Sequence, residues 1–288
     1  MSNSLLDLSG KIDPLLLEVF NAIAEVAAAR GVPCFVVGAT ARDMILSHGH
    51  GIASKRATVD IDLGIEVAEW DEFSALKDEL IATGQFEPTQ AAQRLLYRRA
   101  LPIDIVPFGP LEHANKEITW PPDHSVRMNV LGFEDAFRSA QVVRFRSDPV
   151  LDILFATPAG LAVLKVIAWS DRTPQGNKDA GDLDFLMRSY MDAGNQERLA
   201  EEHADLLAVD DFDYERTGVR LLGWDMAKVM SPETRIAVLE ILEQETGDRE
   251  RYRLVEDMID NYAMTGDAFG ECLQYLETLK AGIQEGKK

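Results

Sequence analysis

The alternation of hydrophobic and polar positions is clearest between Thr58 and Val67. Every second residue there is apolar, and the residues between them include Asp60 and Asp62. A period of two predicts a β-strand, because successive side chains of a strand point to opposite faces of its sheet. The strand would bury its apolar face and place Asp60 and Asp62 together on the other face.

The remaining pattern predicts a mixed first half and a helical second half. Helical spacing and short apolar runs predict helices over residues 14–30, 39–47 and 70–83, and strands over residues 34–37, 94–99, 103–108 and 142–145. Thr157-Pro158 is a typical helix start, and further helices are predicted over residues 195–207, 232–245 and 249–262. The predicted fold class is α+β, with a small mixed sheet and flanking helices in residues 1–150 and a helical region in residues 151–288.

The composition is that of a globular protein with a strong acidic excess. The chain has 288 residues, and its 29 basic and 49 acidic residues give a net charge of −20. Residues 1–150 hold 14 basic and 21 acidic residues, against 15 and 28 in the rest. This excess argues against a protein that coats nucleic acid, because phosphate binding depends on Lys and Arg. It leaves room for a local basic site.

Other features narrow the class of protein. Cys34 and Cys272 are the two cysteines, and neither belongs to a CxxC pair, so a zinc site built on thiolates is not expected. The N-terminus lacks a basic segment followed by a long apolar stretch, and no apolar segment approaches the roughly 20 residues needed to span a membrane. We therefore expect a cytoplasmic protein without a membrane partner.

The carboxylates suggest a metal site. Asp60 and Asp62 on one face would repel each other unless a cation lies between them, and Mg²⁺ typically binds one or two carboxylates together with substrate phosphates. Asp104 is a third acid in an apolar predicted strand, so neighbouring strands would bring three carboxylates together. The alternative is an ordinary solvated strand face. Gly38 lies between a strand and a helix, where helix N-terminal amides can hold phosphate.

These residues together resemble the DNA polymerase beta-like nucleotidyltransferase superfamily. Its pattern is a strand, a small-residue turn, a helix, an Asp-x-Asp strand and a later acid, here Gly38-Ala39-Thr40, Asp60-Ile61-Asp62 and Asp104. Residues 56–63 are similar to the Arg-x-Thr-x-Asp-hydrophobic-Asp stretch of AbiEii-like abortive-infection nucleotidyltransferases. A second similar stretch holds Lys165, Arg172, Lys178-Asp179 and Asp182. The resemblance covers roughly residues 34–186.

The resemblance implies a nucleotidyltransferase-type sheet and specific roles for the site residues. Asp60, Asp62 and Asp104 would be catalytic and would hold Mg²⁺ or Mn²⁺, with Asp104 as the base for the acceptor hydroxyl. The nucleotide would be bound by Gly38, Ala39, Thr40, Arg42, Arg56, Lys165 and Arg172. Because Ala39 replaces the usual Gly or Ser of the turn, a hydroxyl contact to phosphate would come from Thr40. Residues 151–288 would complete the cleft for nucleotide and acceptor.

Several alternatives stay open at this point. Gly38-Ala39-Thr40-Ala41-Arg42-Asp43 also resembles the start of CCA-adding and poly(A) polymerases, although their nucleotide-selecting helix has no counterpart here. The acceptor for the nucleotide would be RNA such as tRNA, with the protein acting as a toxin beside an antitoxin protein, or a small hydroxylated molecule such as an antibiotic. A non-catalytic descendant that binds a nucleotide or a protein is the third reading. Candidates for a small RNA-binding surface are Arg94, Arg98, Arg99, Lys165 and Arg172.

Overall fold

The structure is a computed structural model that describes residues 5–54, 60–172, 178–208, 212–248, 251–259 and 267–286. The chain forms two compact units, Met1–Thr157 and Pro158–Lys288. The first unit contains a mixed sheet with helices, and the second is helical, which confirms the predicted fold class. Among the residues described, no helix is both long and apolar enough to cross a membrane.

The first unit contains the strands and four of the helices in the described ranges. Its strands are β1 (Leu6–Asp7), β2 (Cys34–Val37), β3 (Ile61–Glu66), β4 (Phe86–Pro88), β5 (Arg94–Tyr97), β6 (Leu101–Phe108), β7 (Glu117–Thr119), β8 (Arg127–Asn129), β9 (Gln141–Ser147) and β10 (Val150–Phe155). Its helices are α1 (Pro14–Arg30), α2 (Gly38–Asp43), α3 (Trp70–Ala82) and α4 (Phe133–Arg138). A π-helical turn, Met44–Gly49, continues α2.

The main sheet of the first unit is mixed. Over the described residues it has eight strands in the order β1-β9-β10-β2-β3-β6-β5-β4, and β7 and β8 form a separate hairpin. The central strand β3 runs antiparallel to β2 and parallel to β6, and β6 runs antiparallel to β5. Because β3 is paired on both sides, its backbone is fixed at the centre of the sheet, and this is the strand that carries Asp62.

Helix α1 shows why the sequence folds as the periodicity predicts. The Asp13 side chain caps its N-terminus by accepting from the Leu15 amide, and Gly31 ends it in the left-handed conformation with φ +65°. Phe20 from this helix packs against Phe145 and Phe155 of the sheet, with ring centroids 5.2 and 5.8 Å away. The buried aromatic contact fixes α1 against β9 and β10.

The sheet surface around Phe35 is covered by α4. The Phe35 ring meets Phe108 of β6 and Phe133 and Phe137 of α4 at centroid distances of 5.4 to 6.5 Å. Phe35 pairs with Gly64 across β2 and β3, and a Cβ on Gly64 would lie 2.3 Å from the Phe35 ring. Gly64 thus makes room for this aromatic cluster, two residues after Asp62 on the same strand.

The second unit consists of helices. Those described are α5 (Pro158–Asp171), α6 (Lys178–Ser189), α7 (Gln196–Glu202), α8 (Tyr214–Val229), α9 (Pro232–Thr246), α10 (Arg253–Ile259) and α11 (Ala268–Glu285), with shorter helical turns at Met191–Asn195 and Ala204–Ala208. Helices α8 and α11 pack closely at Gly223 and Gly282, since a Cβ on Gly223 would lie 2.6 Å from the Leu279 carbonyl oxygen. Within this unit, buried Asp225 accepts hydrogen bonds from Tyr190, Arg198 and Lys228, which satisfy its charge.

Candidate active site

Two of the predicted acids, Asp62 and Asp104, lie on a row of paired positions that crosses four neighbouring strands. Val37 at the end of β2 pairs with Asp62 of β3, Asp62 pairs with Asp104 of β6, and Asp104 pairs with Arg94 of β5. Residues paired across adjacent strands project from the same face of a sheet. The structure therefore brings Asp62 and Asp104 side by side, as the strand pattern predicts, and Asp60 directly precedes β3.

Gly38 lies against the carboxylate of Asp62. Its φ of +66° falls in the left-handed region that favours glycine, and it begins α2 directly after Val37. A Cβ at this position would lie 2.0 Å from Asp62 Oδ2. Two requirements, one on the backbone and one on space, therefore select glycine here, and the second leaves room for the Asp62 carboxylate.

Arg94 holds both oxygens of the Asp104 carboxylate. Arg94 Nε donates to Asp104 Oδ1 at 2.7 Å and Nη2 donates to Oδ2 at 2.6 Å. The hydrogen bond to Asp104 is the main reason that the pKa of Arg94 is raised above its ordinary value, and the negative charges of Asp104, Asp60 and Asp62 add to it. Arg94 thus binds Asp104 directly and lies within electrostatic reach of Asp60 and Asp62.

The side chains of α2 anchor the helix. The buried Thr40 hydroxyl donates to the Asp60 carbonyl oxygen at 2.7 Å. Arg42 is also buried, and its guanidinium donates to Asp43 Oδ1 and to Ser54 Oγ at 2.8 and 3.0 Å. Both side chains therefore have partners within the protein. Arg56, the remaining predicted residue of this region, lies outside the described residues.

The donor atoms fit a hard divalent cation only in part. Carboxylate oxygens suit Mg²⁺ or Mn²⁺, and Mg²⁺ needs only one or two carboxylates when substrate phosphates complete its coordination. Asp60 and Asp62 supply carboxylates of this kind, but both oxygens of Asp104, the third predicted ligand, are taken by Arg94. In the part of the chain that the structure describes, no group of three or more His, Cys, Asp or Glu side chains is arranged to hold a metal ion.

Lys165 and Arg172, predicted to bind nucleotide, belong to an ion-pair cluster in the second unit. Lys165 Nζ lies 2.8 Å from Asp179 Oδ1 and 2.7 Å from Asp182 Oδ2, and Arg172 Nη1 lies 3.2 Å from Asp179 Oδ2. Burial alone would lower the pKa of Lys165, but the two carboxylates outweigh burial and raise it. Lys165 is a charged ammonium that links α5 to α6, and Arg172 supports the same link from an exposed position.

The candidate residues for an RNA-binding surface are all ion-paired. Arg98 pairs with Glu18 and Arg99 with Glu87, both at 2.6 Å, in addition to the pairs of Arg94, Lys165 and Arg172 already described. Each positive charge is therefore opposed by a carboxylate at close range. These pairings reduce the net positive charge that the five side chains offer to a polyanion.

The pairing of Arg94 with Asp104 is the feature of the site that the sequence pattern missed. The sequence predicts strands over residues 94–99 and 103–108 with a turn between them, whereas β5 ends at Tyr97 and β6 begins at Leu101. The available signal was charge: an Arg and an Asp on the same hairpin favour a register in which they face each other.

Comparison with known families identifies the chain. The model of the AbiEii family, described as "Nucleotidyl transferase AbiEii toxin, Type IV TA system", matches residues 24–275. This chain belongs to the AbiEii nucleotidyltransferase family. The match confirms the predicted family and the predicted enzyme class, and it extends well beyond the stretch that carried the resemblance. A search of curated protein sequences found no match.

Some solved structures of nucleotidyltransferases are distantly similar to this AbiEii family member. The solution structure of the antibiotic-resistance factor ANT(2'')-Ia is 13% identical, covers 68% of this chain and 96% of its own, and has a TM-score of 0.36. A CCA-adding enzyme in complex with ATP is 15% identical over 92% of this chain and 71% of its own, with a TM-score of 0.34. The Thermotoga maritima CCA-adding enzyme with tRNA is 14% identical over 91% and 70%, with a TM-score of 0.33. Similarity this low does not define a substrate.

Proposed function

We propose that this AbiEii family member is a metal-dependent nucleotidyltransferase that moves a nucleoside monophosphate from an NTP to RNA, such as tRNA, and acts as the toxin of a toxin–antitoxin pair. The observation that carries the proposal is the pairing of Asp62 with Asp104 in parallel register, beside Gly38. The family description supports the toxin role and an antitoxin partner.

Asp60, Asp62 and Asp104 each have a role in this proposal. Asp60 and Asp62 would hold Mg²⁺ or Mn²⁺, with Asp104 as a further ligand once it leaves Arg94, and the bound ion would neutralise charge on the phosphates. Asp104 takes the proton of the acceptor hydroxyl after its carboxylate leaves Arg94. The acceptor oxygen then bonds to the α-phosphorus while the bond from that phosphorus to the bridging oxygen breaks, and pyrophosphate leaves with the electron pair. Backbone amides at Gly38 and Ala39 hold phosphate oxygens.

The nucleotide-binding roles of Lys165, Arg172 and Arg56 rest on the family motif alone. Lys165 is already neutralised by two carboxylates, so its replacement tests a structural role as well as a binding role. A Lys165→Met variant that folds normally but shows a raised KM for NTP supports binding.

A small hydroxylated acceptor is the second candidate. Its support is the ion pairing of Arg94, Arg98 and Arg99, together with the net charge of −20, because neither favours a polyanion. The chemistry at the row of acids would be the same, and only the molecule that supplies the hydroxyl would differ.

Labelling with each radioactive NTP tests both candidates. The protein is incubated with Mg²⁺ and either total RNA or a panel of hydroxylated small molecules, including antibiotics. We expect label in RNA with the wild-type protein and none with Asp62→Asn. Asp152→Asn is the matched control, because Asp152 is a partly exposed strand acid of the same sheet that also binds an arginine, Arg144.

The outcomes separate the readings. If only the small molecules are labelled, the acceptor is a small hydroxylated molecule and not RNA. Absence of label in every acceptor, with no NTP binding by calorimetry, would contradict the enzyme proposal and favour a non-catalytic descendant. Growth arrest on expression, lost in Asp62→Asn and kept in Asp152→Asn, is the result expected for a toxin.

A further inference from the structure

We propose that Arg94 competes with the divalent metal for Asp104, so that metal loading of the site requires the Asp104 carboxylate to exchange its guanidinium partner for the cation. The inference rests on the proposed metal-dependent function and adds a positioning residue to it. Arg94 would set how tightly the site binds metal and would keep Asp104 paired while the metal is absent.

The geometry of the Arg94–Asp104 pair supports competition. The guanidinium donates to both carboxylate oxygens at 2.6 and 2.7 Å, so neither oxygen is available to a cation at the same time without loss of a charge-assisted hydrogen bond. The pair spans β5 and β6 at directly opposed positions, and Asp62 is the partner of Asp104 on the other side. The guanidinium therefore binds the acid that adjoins the proposed metal ligands.

The exposure of the two side chains allows the exchange. The side chain of Arg94 is 38% exposed, whereas that of Asp104 is 16% exposed. A partly exposed arginine can swing into water at small cost, because its guanidinium regains hydration there. The carboxylate is the more enclosed partner and would keep its place on β6 while the cation beside it changes.

A second arginine on the same sheet provides a matched control. Arg144 of β9 donates to Asp152 of β10 through Nε and Nη2, both at 2.8 Å, across directly opposed strand positions. Asp152 has no carboxylate partner among the acids of the row. Replacing Arg144 therefore removes an equivalent cross-strand ion pair without touching Asp104.

Binding of Mn²⁺ alone, followed by electron paramagnetic resonance without nucleotide, tests the proposal. We expect Arg94→Gln to bind Mn²⁺ about two- to fivefold more tightly than wild type, the range expected when a partly exposed ion pair no longer competes. Arg94→Lys keeps the charge but loses the bidentate hydrogen bonds, so its Mn²⁺ affinity should lie between those of wild type and Arg94→Gln. Arg144→Gln should bind Mn²⁺ as wild type does. Thermal melting of the Arg94→Gln and Arg144→Gln variants checks that both fold.

A double-mutant cycle separates competition from a general charge effect. In an Asp104→Asn background, Arg94→Gln should change Mn²⁺ affinity much less than it does with Asp104 present. An equal change in both backgrounds would overturn the inference while leaving the metal site intact. If Mn²⁺ affinity is unaltered in Arg94→Gln but lost in Asp62→Asn, the inference is also overturned, and the metal site again stands. Absence of Mn²⁺ binding in every variant would overturn both the inference and the proposed metal dependence.

Discussion

At the scale of single residues, the site depends on a missing side chain. Gly38 leaves room for the Asp62 carboxylate, because a Cβ at residue 38 would lie only 2.0 Å from Asp62 Oδ2. The strand pattern predicts that Asp62 faces the site, but it gives no information on the space that the carboxylate occupies. That space comes from the antiparallel pairing of β2 with β3, which brings the end of one strand beside the start of the other.

Replacing Gly38 by alanine should therefore abolish transfer with a modest loss of stability. The positive φ costs about 1 kcal/mol for a non-glycine residue. The larger effect is displacement of Asp62, and a misplacement of about 1 Å in a catalytic group can cost about a hundredfold in rate. We expect at least that loss in kcat, measured as label transferred at saturating NTP.

Gly31→Ala is the control for the cost of placing a non-glycine residue at a positive φ. Gly31 has nearly the same φ, +65°, but a Cβ there would meet nothing within 4 Å. Urea unfolding should show a loss of stability in both variants, larger in Gly38→Ala because the contact with Asp62 adds to the backbone cost, and only Gly38→Ala should lose activity. Equal activity of both variants would show that the contact with Asp62 has no role in the reaction.

At the scale of elements, the register of one hairpin decides which arginine meets Asp104. A turn over residues 100–102, as the sequence predicts, would place Arg98 opposite Asp104. The structure turns earlier, with Arg98 and Arg99 at φ values of 48° and 60°, and so pairs Arg94 with Asp104. That prediction is wrong because left-handed turn positions are usually filled by Gly, Asn or Asp, so two arginines gave no turn signal.

Other elements could be predicted because their signals are local. Helix α1 has the predicted bounds, since its apolar spacing, Asp13 cap and Gly31 stop all lie within its own sequence. Strand β2 also has the predicted bounds. Strand β10, by contrast, is not predicted, because Val150–Phe155 contains a single polar residue and therefore shows no polar alternation. The strand forms through its pairing with β9 and β2. The row of acids likewise depends on long-range pairing.

The contact between α2 and β3 can be tested through one hydroxyl. Thr40 donates to the Asp60 carbonyl oxygen at 2.7 Å, so Thr40→Val leaves that oxygen without its partner. We expect the free energy of unfolding to fall by about 1–2 kcal/mol, and transfer activity to fall as the start of β3 loosens. Urea denaturation and the kcat for NTP measure the two effects.

Thr40→Ser keeps the hydroxyl and removes only a methyl group, so it should retain most of the activity. One other result would change the role given to the Thr40 hydroxyl. If Thr40→Val kept its stability but raised the KM for NTP, the hydroxyl would serve as the phosphate contact that the family resemblance implies.

At the scale of the whole molecule, the net charge affects how an RNA acceptor can be bound. The net charge of −20 opposes a polyanion at long range, and the candidate basic side chains are held by carboxylates. An RNA acceptor would therefore be bound through few phosphate contacts. A protein that makes six to ten such contacts loses about 10³- to 10⁵-fold in affinity between 50 and 200 mM salt.

We expect the KM for RNA to rise less than about tenfold over that salt range, which corresponds to one or two phosphate contacts. The measurement is the initial rate of labelling at saturating NTP and constant Mg²⁺, with RNA varied at each NaCl concentration. An uncharged hydroxylated acceptor, assayed in parallel, corrects for salt effects on the chemistry itself. A thousandfold rise would contradict the prediction. It would mean that RNA finds positive charge beyond the ion-paired residues described here, and Lys55 and Arg56, which lie outside the described residues, would be the first to replace.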